Sequence, residues 1–124
     1  MVKTILIVDD DPSVIHTVKY GLEGLGANYK VISVDCGEKC LEMLKNNLVP
    51  DLILLDIMMP GMSGWETHRK IKENNSWRNI PIVFLTALTD QVTREAGFFY
   101  GEGYIEKPFK ITELKQLIDN ILEQ

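Results

Sequence analysis

The sequence predicts an α/β protein with five strands in one open, doubly wound parallel sheet, a (βα)5 arrangement. Short apolar runs of strand length alternate five times with amphipathic segments of helical period. Several of the runs are continuous stretches of leucine, isoleucine and valine, which are typical of parallel strands covered on both faces. Alternation of this kind places helices on the two sides of a single sheet.

Five segments are predicted to form the strands, and several of them are continuous runs of β-branched residues or leucine. Pro81 stands where the fourth strand should begin, a position at which the missing backbone N–H is tolerated. In chain order, the predicted strands are Lys3–Val8, Tyr29–Val34, Asp51–Leu55, Ile82–Thr86 and Gly103–Ile105.

The helices between the strands are predicted from apolar residues spaced three and four apart. The first helix begins after Asp11, an N-cap followed by Pro12, and Gly26 suits its end. The apolar stripes are Val14, Val18, Leu22 and Leu25 in the first helix, Leu41, Leu44 and Leu48 in the second, Trp65, His68 and Ile71 in the third, Val92, Ala96 and Phe99 in the fourth, and Ile111, Leu114, Ile118 and Ile121 in the fifth.

Length and composition indicate one ordinary globular domain over residues 1–124. The chain is 45% hydrophobic and 25% charged, and it is long enough to bury a core. Its net charge of −5 and its lack of a basic run argue against a nucleic-acid-binding surface. No apolar stretch is long enough to span a membrane and no secretory signal is visible, so we expect a cytoplasmic protein.

Two cysteines, Cys36 and Cys40, lie four residues apart with Asp35 beside them. No second cysteine or histidine pair completes a metal-binding set. We therefore expect packed or half-buried thiols in a reducing compartment rather than a metal site.

Two predicted strands end in acidic residues, and a carboxylate at the rim of an apolar core is costly unless something compensates for it. The first strand runs into Asp9, Asp10 and Asp11, and the third runs into Asp56. Ligands of such sheets bind at the carboxyl ends of the strands where the strand order reverses, and in the order 2-1-3-4-5 the first and third strands flank that point. We expect Asp9, Asp10 and Asp56 to converge there, whereas Asp11 precedes Pro12 and is better explained as a helix cap.

A cluster of three carboxylates needs protonation, separation or a cation, since two like charges about 4 Å apart repel by roughly 4 kcal/mol at an effective dielectric constant near 20. An all-oxygen site suits Mg²⁺ or Mn²⁺. Mg²⁺ beside a further carboxylate favours phosphoryl chemistry with that carboxylate as the nucleophile. Thr86 ends the fourth strand, where its hydroxyl is placed to donate to a phosphoryl oxygen, and Lys107 follows the fifth, where its ammonium is placed to neutralise developing charge.

The segments "ILIVDDDP", "DLILLDIMMPGMSG", "PIVFLTA" and "GYIEKPF", in this order and at these spacings, resemble the receiver domain of two-component response regulators. The resemblance spans essentially the whole chain and implies a flavodoxin-like fold with strand order 2-1-3-4-5. It implies that Asp56 is the phosphoacceptor. It also implies that Asp9 and Asp10 hold Mg²⁺ together with Asp56, and that the backbone carbonyl of Met58 completes the protein's share of the coordination.

The same resemblance implies a signalling switch rather than a turnover enzyme. Thr86 and Tyr104 occupy the positions of the family's switch pair. The alternative for Tyr104 is a strand residue with a half-exposed hydroxyl, but its spacing to Lys107 and Pro108 favours the switch. Lys107 occupies the position of the invariant lysine, and its bond to Pro108 is expected to be cis. The implied partners are a sensor histidine kinase or phosphotransfer protein and a downstream target or output domain. A phosphorylation-dependent homodimer is a further expectation, and the implied output face comprises the fourth helix, the fifth strand and the fifth helix.

Several positions depart from the usual family pattern. Ser63 stands where the family often has aspartate or asparagine, which we expect to alter only a turn. Phe98, Phe99 and Tyr100 replace a stretch that is usually rich in alanine and glycine, and we expect Phe99 to pack and Tyr100 to be partly exposed. Met58 and Leu88 follow Asp56 and Thr86 by two residues and carry no acid or amide that would orient water, which predicts slow self-dephosphorylation.

The tryptophans and histidines are expected to have structural roles. Trp65 is expected to anchor the core and Trp77 to cover its edge or be partly exposed. His68 is expected to be packed and His16 to lie on the surface.

Two other function classes compete with the switch. A Mg²⁺-dependent phosphatase or phosphotransferase of the haloacid dehalogenase type would carry a second acid two residues after the nucleophile, where this chain has Met58, and a cap insertion. An inert receiver-like interaction module ranks below it because all the motif residues are present. Nucleotide or flavin binding lacks a glycine-rich loop after the first strand. Whether the chain acts alone or belongs to a larger regulator stays open.

Overall fold

The computed structural model describes residues 2–24, 28–87 and 103–123, and these residues contain one five-stranded sheet. All neighbouring strands are parallel, in the order β2-β1-β3-β4-β5, which confirms the predicted fold class and strand order. The strands are β1 (Lys3–Val8), β2 (Tyr29–Val34), β3 (Leu52–Asp56), β4 (Ile82–Thr86) and β5 (Gly103–Glu106).

Four helices are described, and the first begins where the sequence predicts. Asp11 caps the first helix, since its carboxylate accepts hydrogen bonds from the Ser13 N–H at 2.9 Å and from the Ser13 hydroxyl at 2.7 Å. The predicted fourth helix, marked by Val92, Ala96 and Phe99, lies outside the described residues. The described helices are α1 (Pro12–Gly24), α2 (Gly37–Lys45), α3 (Gly64–Lys72) and the last helix (Ile111–Leu122).

The core consists of two apolar clusters, one on each face of the sheet. Successive residues of a strand point to opposite faces, so β1, β3 and β4 each supply both clusters. One cluster packs against α1 and the last helix through Ile5, Ile7, Val18, Leu22, Leu52, Leu54, Val83, Leu85, Leu114 and Ile118. The other packs against α2 and α3 through Leu6, Val8, Cys40, Leu44, Ile53, Leu55, Ile71, Ile82 and Phe84. Burial on both faces explains why the central strands read as continuous apolar runs.

Contacts between distant segments fix the last helix against α1 and β2. A β-carbon at Gly21 would lie 2.5 Å from Cγ1 of Ile111, so the glycine permits a close approach of the two helices. The Tyr29 hydroxyl, at the start of β2, donates a hydrogen bond to Asp119 Oδ1 of the last helix. Lys115 donates to Asp119 Oδ2 at 2.7 Å. Tyr29, Lys115 and Asp119 are called the Asp119 group below.

The structure corrects the predicted bounds of two strands and the extent of one stripe. β3 begins at Leu52 rather than Asp51, whose carboxylate accepts a hydrogen bond from the Thr4 N–H at 2.7 Å, and it ends at Asp56 rather than Leu55, because Asp56 pairs with Leu85 of β4. β5 continues to Glu106, which pairs with Thr86. Leu48 does not extend the α2 stripe. It follows the helix end and is 55% exposed, because Asn47 turns the chain with a φ of 66°, a conformation that asparagine tolerates.

Other predictions fall on residues that the structure does not describe. These are Leu25 and Gly26 at the end of the first helix, and Leu88, Phe98, Phe99 and Tyr100 after β4. Among the described residues, no helix has the length and hydropathy required to cross a membrane.

Candidate functional site

Three carboxylates meet at the carboxyl ends of β1 and β3. These strands are neighbours and pair Val8 with Leu55, so the next residues, Asp9 and Asp56, lie side by side. One oxygen from each of Asp9, Asp10 and Asp56 lies within 4.8 Å of the other two, the arrangement that the sequence predicted. Asp9 and Asp56 are buried, whereas Asp10 is exposed and leaves the cluster open to solvent. These three residues are called the acid cluster below.

Lys107 supplies a positive charge to the acid cluster. The Lys107 N–H donates to the Thr86 carbonyl at 2.7 Å, which extends the β4–β5 pairing and turns the side chain toward the carboxylates. Its Nζ lies 2.7 Å from Asp9 Oδ2 and 3.5 Å from Asp56 Oδ1. Burial lowers the pKa of Lys107, but the hydrogen bond to Asp9 and the charges of Asp56 and Asp9 outweigh it, so that the pKa is raised. The Lys107–Pro108 peptide bond is cis, as expected.

The charges of the acid cluster do not balance within the described part of the chain. Three carboxylates face one ammonium there, which leaves two negative charges uncompensated when all three acids are ionised. Burial, and then the charge of Asp9, raises the pKa of Asp56 to about 6 although Lys107 acts in the opposite direction. This surplus of negative charge favours a bound cation, and oxygen donors are the ligands that Mg²⁺ prefers.

Backbone N–H groups of the adjoining loops hold two of the carboxylates in place. The Asp11 N–H donates to Asp9 Oδ1 at 2.9 Å, and the Met58 N–H donates to Asp56 Oδ1 at 3.3 Å. The Met58 side chain itself points away from the core and is 63% exposed. Both bonds fix the carboxylate orientation, and the bond from Met58 acts to lower the pKa of Asp56, against the larger effects of burial and of Asp9.

Gly64 lets α3 start directly against the Asp56 backbone. A β-carbon at this position would lie 2.2 Å from the Asp56 carbonyl oxygen, and the Gly64 N–H donates to the Ile57 carbonyl at 2.9 Å. Ser63 is the N-cap of α3, since its hydroxyl accepts a hydrogen bond from the Glu66 N–H at 3.2 Å. The sequence interpretation missed both roles. The serine followed three residues later by glutamate was the signal that could have identified the cap.

Thr86 and Tyr104 lie on neighbouring strands in different surroundings. Thr86 is buried at the carboxyl end of β4, one residue beyond the pairing partner of Asp56. Tyr104 pairs with Phe84 and packs, half-buried, against the apolar cluster on the α2 and α3 side. Thr86 therefore lies at the carboxyl-end edge of the sheet that carries the acid cluster. Tyr104 lies two residues further from that edge along the strand direction.

The remaining histidine, aromatic and cysteine predictions concern packing. His68 is buried with its ring centroid 5.2 Å from that of Phe84, so it is a packed residue, whereas His16 is exposed and contacts Tyr20. Trp65 lies 4.7 Å from Phe84, and Trp77 covers the edge of the same cluster. Cys40 is buried, and burial raises the pKa of its thiol to about 12. Within residues 2–24, 28–87 and 103–123 the cysteines belong to no group of metal-binding side chains.

Comparison with known proteins gives one consistent family. The family model described as the response regulator receiver domain matches residues 5–119. The DNA-binding response regulator MtrA of Mycolicibacterium smegmatis is 41% identical over 115 residues, which are 92% of this chain and 48% of MtrA. The chain spans about half or less of the length of the curated relatives that it matches.

Two of the similar solved structures cover the full length of this chain. The N-terminal domain of a response regulator receiver protein from Methanoculleus marisnigri is 42% identical with a TM-score of 0.74, covering 100% of this chain and 99% of that one. The receiver domain of a sensor histidine kinase from Pseudomonas aeruginosa has a TM-score of 0.87 and 30% identity, covering 100% of both chains. The structure of the latter holds a magnesium ion in its active-site cleft.

Proposed function

The chain belongs to the response regulator receiver domain family, and from this premise we propose that it is a phosphorylation-dependent signalling switch with Asp56 as the phosphoacceptor. The observation that carries the proposal is the convergence of Asp9, Asp10 and Asp56 with Lys107 at one edge of the sheet. A receiver of this kind supports its own phosphorylation and dephosphorylation and turns over no other substrate.

Asp56 acts as the nucleophile in the proposed reaction. With a pKa of about 6 it is ionised at neutral pH, yet it is a stronger base than an ordinary carboxylate. The Met58 N–H fixes one of its oxygens. A carboxylate oxygen forms a bond to phosphorus, the bond from phosphorus to the donor breaks, and the electron pair leaves with the donor group. Lys107 is close enough to Asp56 to neutralise charge on the phosphoryl oxygens as it develops.

The acid cluster is proposed to hold Mg²⁺, with Mn²⁺ as the alternative. Asp9, Asp10 and Asp56 would contribute carboxylate oxygens and Met58 its backbone carbonyl, and the exposure of Asp10 leaves room for waters. When bound, the ion supplies positive charge to the phosphoryl oxygens. The magnesium ion in the cleft of the Pseudomonas aeruginosa receiver supports this assignment by analogy.

Thr86 and Tyr104 are proposed as the switch pair. The Thr86 hydroxyl donates to the phosphoryl group once Asp56 is modified, and Tyr104 moves further into the apolar surroundings that it already half occupies. These movements shift the population of the face made by the fourth predicted helix, β5 and the last helix. The readers of this face would be a downstream protein, an output domain or a second copy of the chain. Hydrolysis of the acyl phosphate resets the switch.

The phosphodonor and the cellular location are proposed by analogy with the family. The proposed phosphodonor is a sensor histidine kinase or a phosphotransfer protein, and the proposed location is the cytoplasm. MtrA carries the words DNA-binding in its name, but the chain spans only 48% of that protein, so no DNA contact is proposed for residues 1–124.

Intact-mass measurement after incubation with acetyl phosphate and Mg²⁺ tests the proposal. We expect one labile phosphoryl group on the unmodified chain and none on Asp56→Asn. Asp35→Asn is the matched control, because Asp35 also follows a strand but is exposed and paired with Lys39, and it should accept the group normally. Absence of modification at every Mg²⁺ concentration would favour an inert interaction module. Continuous release of phosphate from a substrate, without a stable adduct, would favour a phosphatase.

A further inference from the structure

The strand β2 lies at an edge of the sheet, and within the described ranges it has a neighbouring strand, β1, on one side only. The Val34 carbonyl accepts a hydrogen bond from the Asp9 N–H at 3.2 Å, so the even-numbered residues of β2 are the ones that face β1. The residues that direct their backbone N–H and carbonyl groups outward are therefore Tyr29, Val31 and Ser33. Outward groups of this kind form a template on which a further strand can pair.

The Glu23 side chain occupies the middle of this edge. Its Oε2 accepts a hydrogen bond from the Val31 N–H at 2.9 Å, although Glu23 is an exposed residue in the last turn of α1. Holding a long exposed side chain in one position costs conformational entropy. The bond takes up the N–H that an incoming strand would need, and it brings a negative charge to the edge.

The outward backbone groups of β2 are self-complementary about Val31. If two copies pair antiparallel with Val31 on the twofold axis, each Val31 faces the same residue of the other copy, and Tyr29 faces Ser33. The outward N–H and carbonyl groups of these residues then find partners. Lys30 faces Ile32 in this register, so the strand itself brings no like charges together.

Glu23 is the group that opposes such pairing. Because each Glu23 carboxylate is bound to the Val31 N–H, two of them would meet at the twofold axis, where they would block the central hydrogen bonds and repel each other. We infer that the β2 edge is a pairing surface for a second, antiparallel copy of this chain, and that the Glu23 carboxylate keeps it closed. This surface is separate from the face that the switch is proposed to move.

A purely structural role for Glu23 makes a different prediction. If the carboxylate only holds the end of α1 against β2, its removal lowers the unfolding free energy and leaves the chain a monomer. If it closes the edge, its removal causes association through β2. The pairing involves neither Asp56 nor a metal ion, so it is measured without phosphodonor and in EDTA.

Sedimentation velocity of Glu23→Ala over a range of protein concentrations tests the inference. We expect a dimer with a dissociation constant at least about tenfold lower than that of the unmodified chain, because the central hydrogen bonds become available and the repulsion is lost. Glu42→Ala removes another exposed helical glutamate, in α2, and should associate no more tightly than the unmodified chain. Glu23→Gln keeps an oxygen for the Val31 N–H and removes only the charge, so we expect an intermediate gain of about threefold.

Amide hydrogen exchange locates the dimer contact. As the concentration of Glu23→Ala rises, exchange at the outward N–H groups of Tyr29, Val31 and Ser33 should slow. Exchange at Lys30 and Ile32, whose N–H groups face β1, should not change. This alternation distinguishes pairing at the β2 edge from association through any other surface.

Three results would overturn the inference. The first is a folded Glu23→Ala variant that stays monomeric at every concentration. The second is a dimer in which exchange at Tyr29, Val31 and Ser33 is unchanged. The third applies if Glu23→Ala does not fold, and it is a Glu23→Gln variant that associates no more tightly than the unmodified chain. All three leave the phosphorylation of Asp56 unaffected, so failure here and failure of the proposed function are distinguishable.

Discussion

Two lysine–aspartate pairs of this molecule have the same N–O distance but different electrostatic surroundings. Lys107 Nζ lies 2.7 Å from Asp9 in the acid cluster, and Lys115 Nζ lies 2.7 Å from Asp119 in the Asp119 group. Asp9 is fully buried. Its charge is the second cause, after the burial of Asp56, that raises the pKa of Asp56. Partial burial opposes ionisation of Asp119, but hydrogen bonds from Lys115 and Tyr29 outweigh it and lower the pKa of Asp119.

This difference shows that charge balance, and not the N–O distance, decides whether an ion pair is a structural contact or part of a binding site. In the Asp119 group one carboxylate receives one ammonium and one hydroxyl, so the group is satisfied and joins β2 to the last helix. In the acid cluster three carboxylates share one lysine within the described residues, so the folded chain retains electrostatic repulsion there. Repulsion of that kind is relieved by a cation, which suits a binding site and not a structural contact.

The largest expected effect comes from Lys107→Met. Removal of one partner of a buried pair leaves the other charge uncompensated, which typically costs about 3–5 kcal/mol of unfolding free energy. We expect a loss of that size in urea denaturation at pH 7.5 with EDTA, and a smaller loss with Mg²⁺ because the ion replaces the missing charge. Lys110→Met, an exposed lysine of the same loop, is the control and should change little. An equal loss with and without Mg²⁺ would contradict the metal assignment.

Asp56→Asn should stabilise the metal-free chain, and the gain should depend on pH. The pKa of Asp56 is raised from 3.8 to about 6, so ionisation above pH 6 destabilises the folded state, by about 3 kcal/mol at most. Below about pH 4 the carboxyl is protonated in both states and the penalty disappears. The stability of the unmodified chain should therefore fall as pH rises from 4 to 6, whereas the asparagine variant should not show this fall. The measurement is the unfolding free energy in EDTA across this range.

Asp119→Asn is the matched comparison for that experiment, because it should destabilise the chain where Asp56→Asn stabilises it. Addition of Mg²⁺ should reduce or reverse the advantage of Asp56→Asn, since the unmodified cluster binds the ion more tightly. A variant no more stable than the unmodified chain at pH 8 in EDTA would show that the Asp56 carboxylate is well solvated.

The acid cluster could be predicted from sequence, and the Asp119 group could not, for a physical reason. Asp9 and Asp56 each end an apolar run, and parallel neighbouring strands bring such ends together. The link between Tyr29 and Asp119 joins residues 90 positions apart and follows no local pattern. It arises only from how the last helix lies against β2, which the stripe of apolar residues does not specify.

The bounds of the strands were predicted correctly where local sequence sets them and incorrectly where contacts with other segments set them. Three strands agree with the predicted bounds, since each ends where its β-branched run ends, at Val8, Val34 and Thr86. β3 is shifted by one residue at both ends, because Asp51 bonds across to Thr4 and Asp56 pairs with Leu85, and β5 is one residue longer, because Glu106 pairs with Thr86. The close approach of Gly64 to the Asp56 carbonyl was missed as well, since a glycine in a loop gives no sign of which backbone it contacts.

Tyr29→Phe tests the balanced region. The ring stays in place while Asp119 loses one of its two donors, so we expect a loss of about 1 kcal/mol in unfolding free energy, the usual net value of a hydrogen bond. Tyr20→Phe is the control, since Tyr20 is 65% exposed, and it should cost nothing measurable. A loss of unfolding free energy as large as that of Lys107→Met would contradict the expectation that the Asp119 group contributes less to stability than the Lys107 pair.

Lys115→Met should have the smallest effect, although its ion pair is as short as that of Lys107. The pair is partly exposed, its lysine precedes the aspartate by four residues, and this orientation is the less favourable one on a helix, so about 0.5 kcal/mol is expected. The loss should shrink in 1 M NaCl, because exposed pairs are screened by salt.

The loss for Lys115→Met should also vanish at low pH. The lowered pKa of Asp119 contributes stability only above the ordinary carboxyl value, and protonation removes that contribution as pH falls. The acid cluster should respond in the opposite direction over pH 4 to 6, so urea denaturation of the Lys115→Met and Asp56→Asn variants at pH 3, 5 and 8 distinguishes a balanced pair from an unbalanced one. A salt-independent loss above 2 kcal/mol for Lys115→Met would show that distance, and not charge balance, governs both regions.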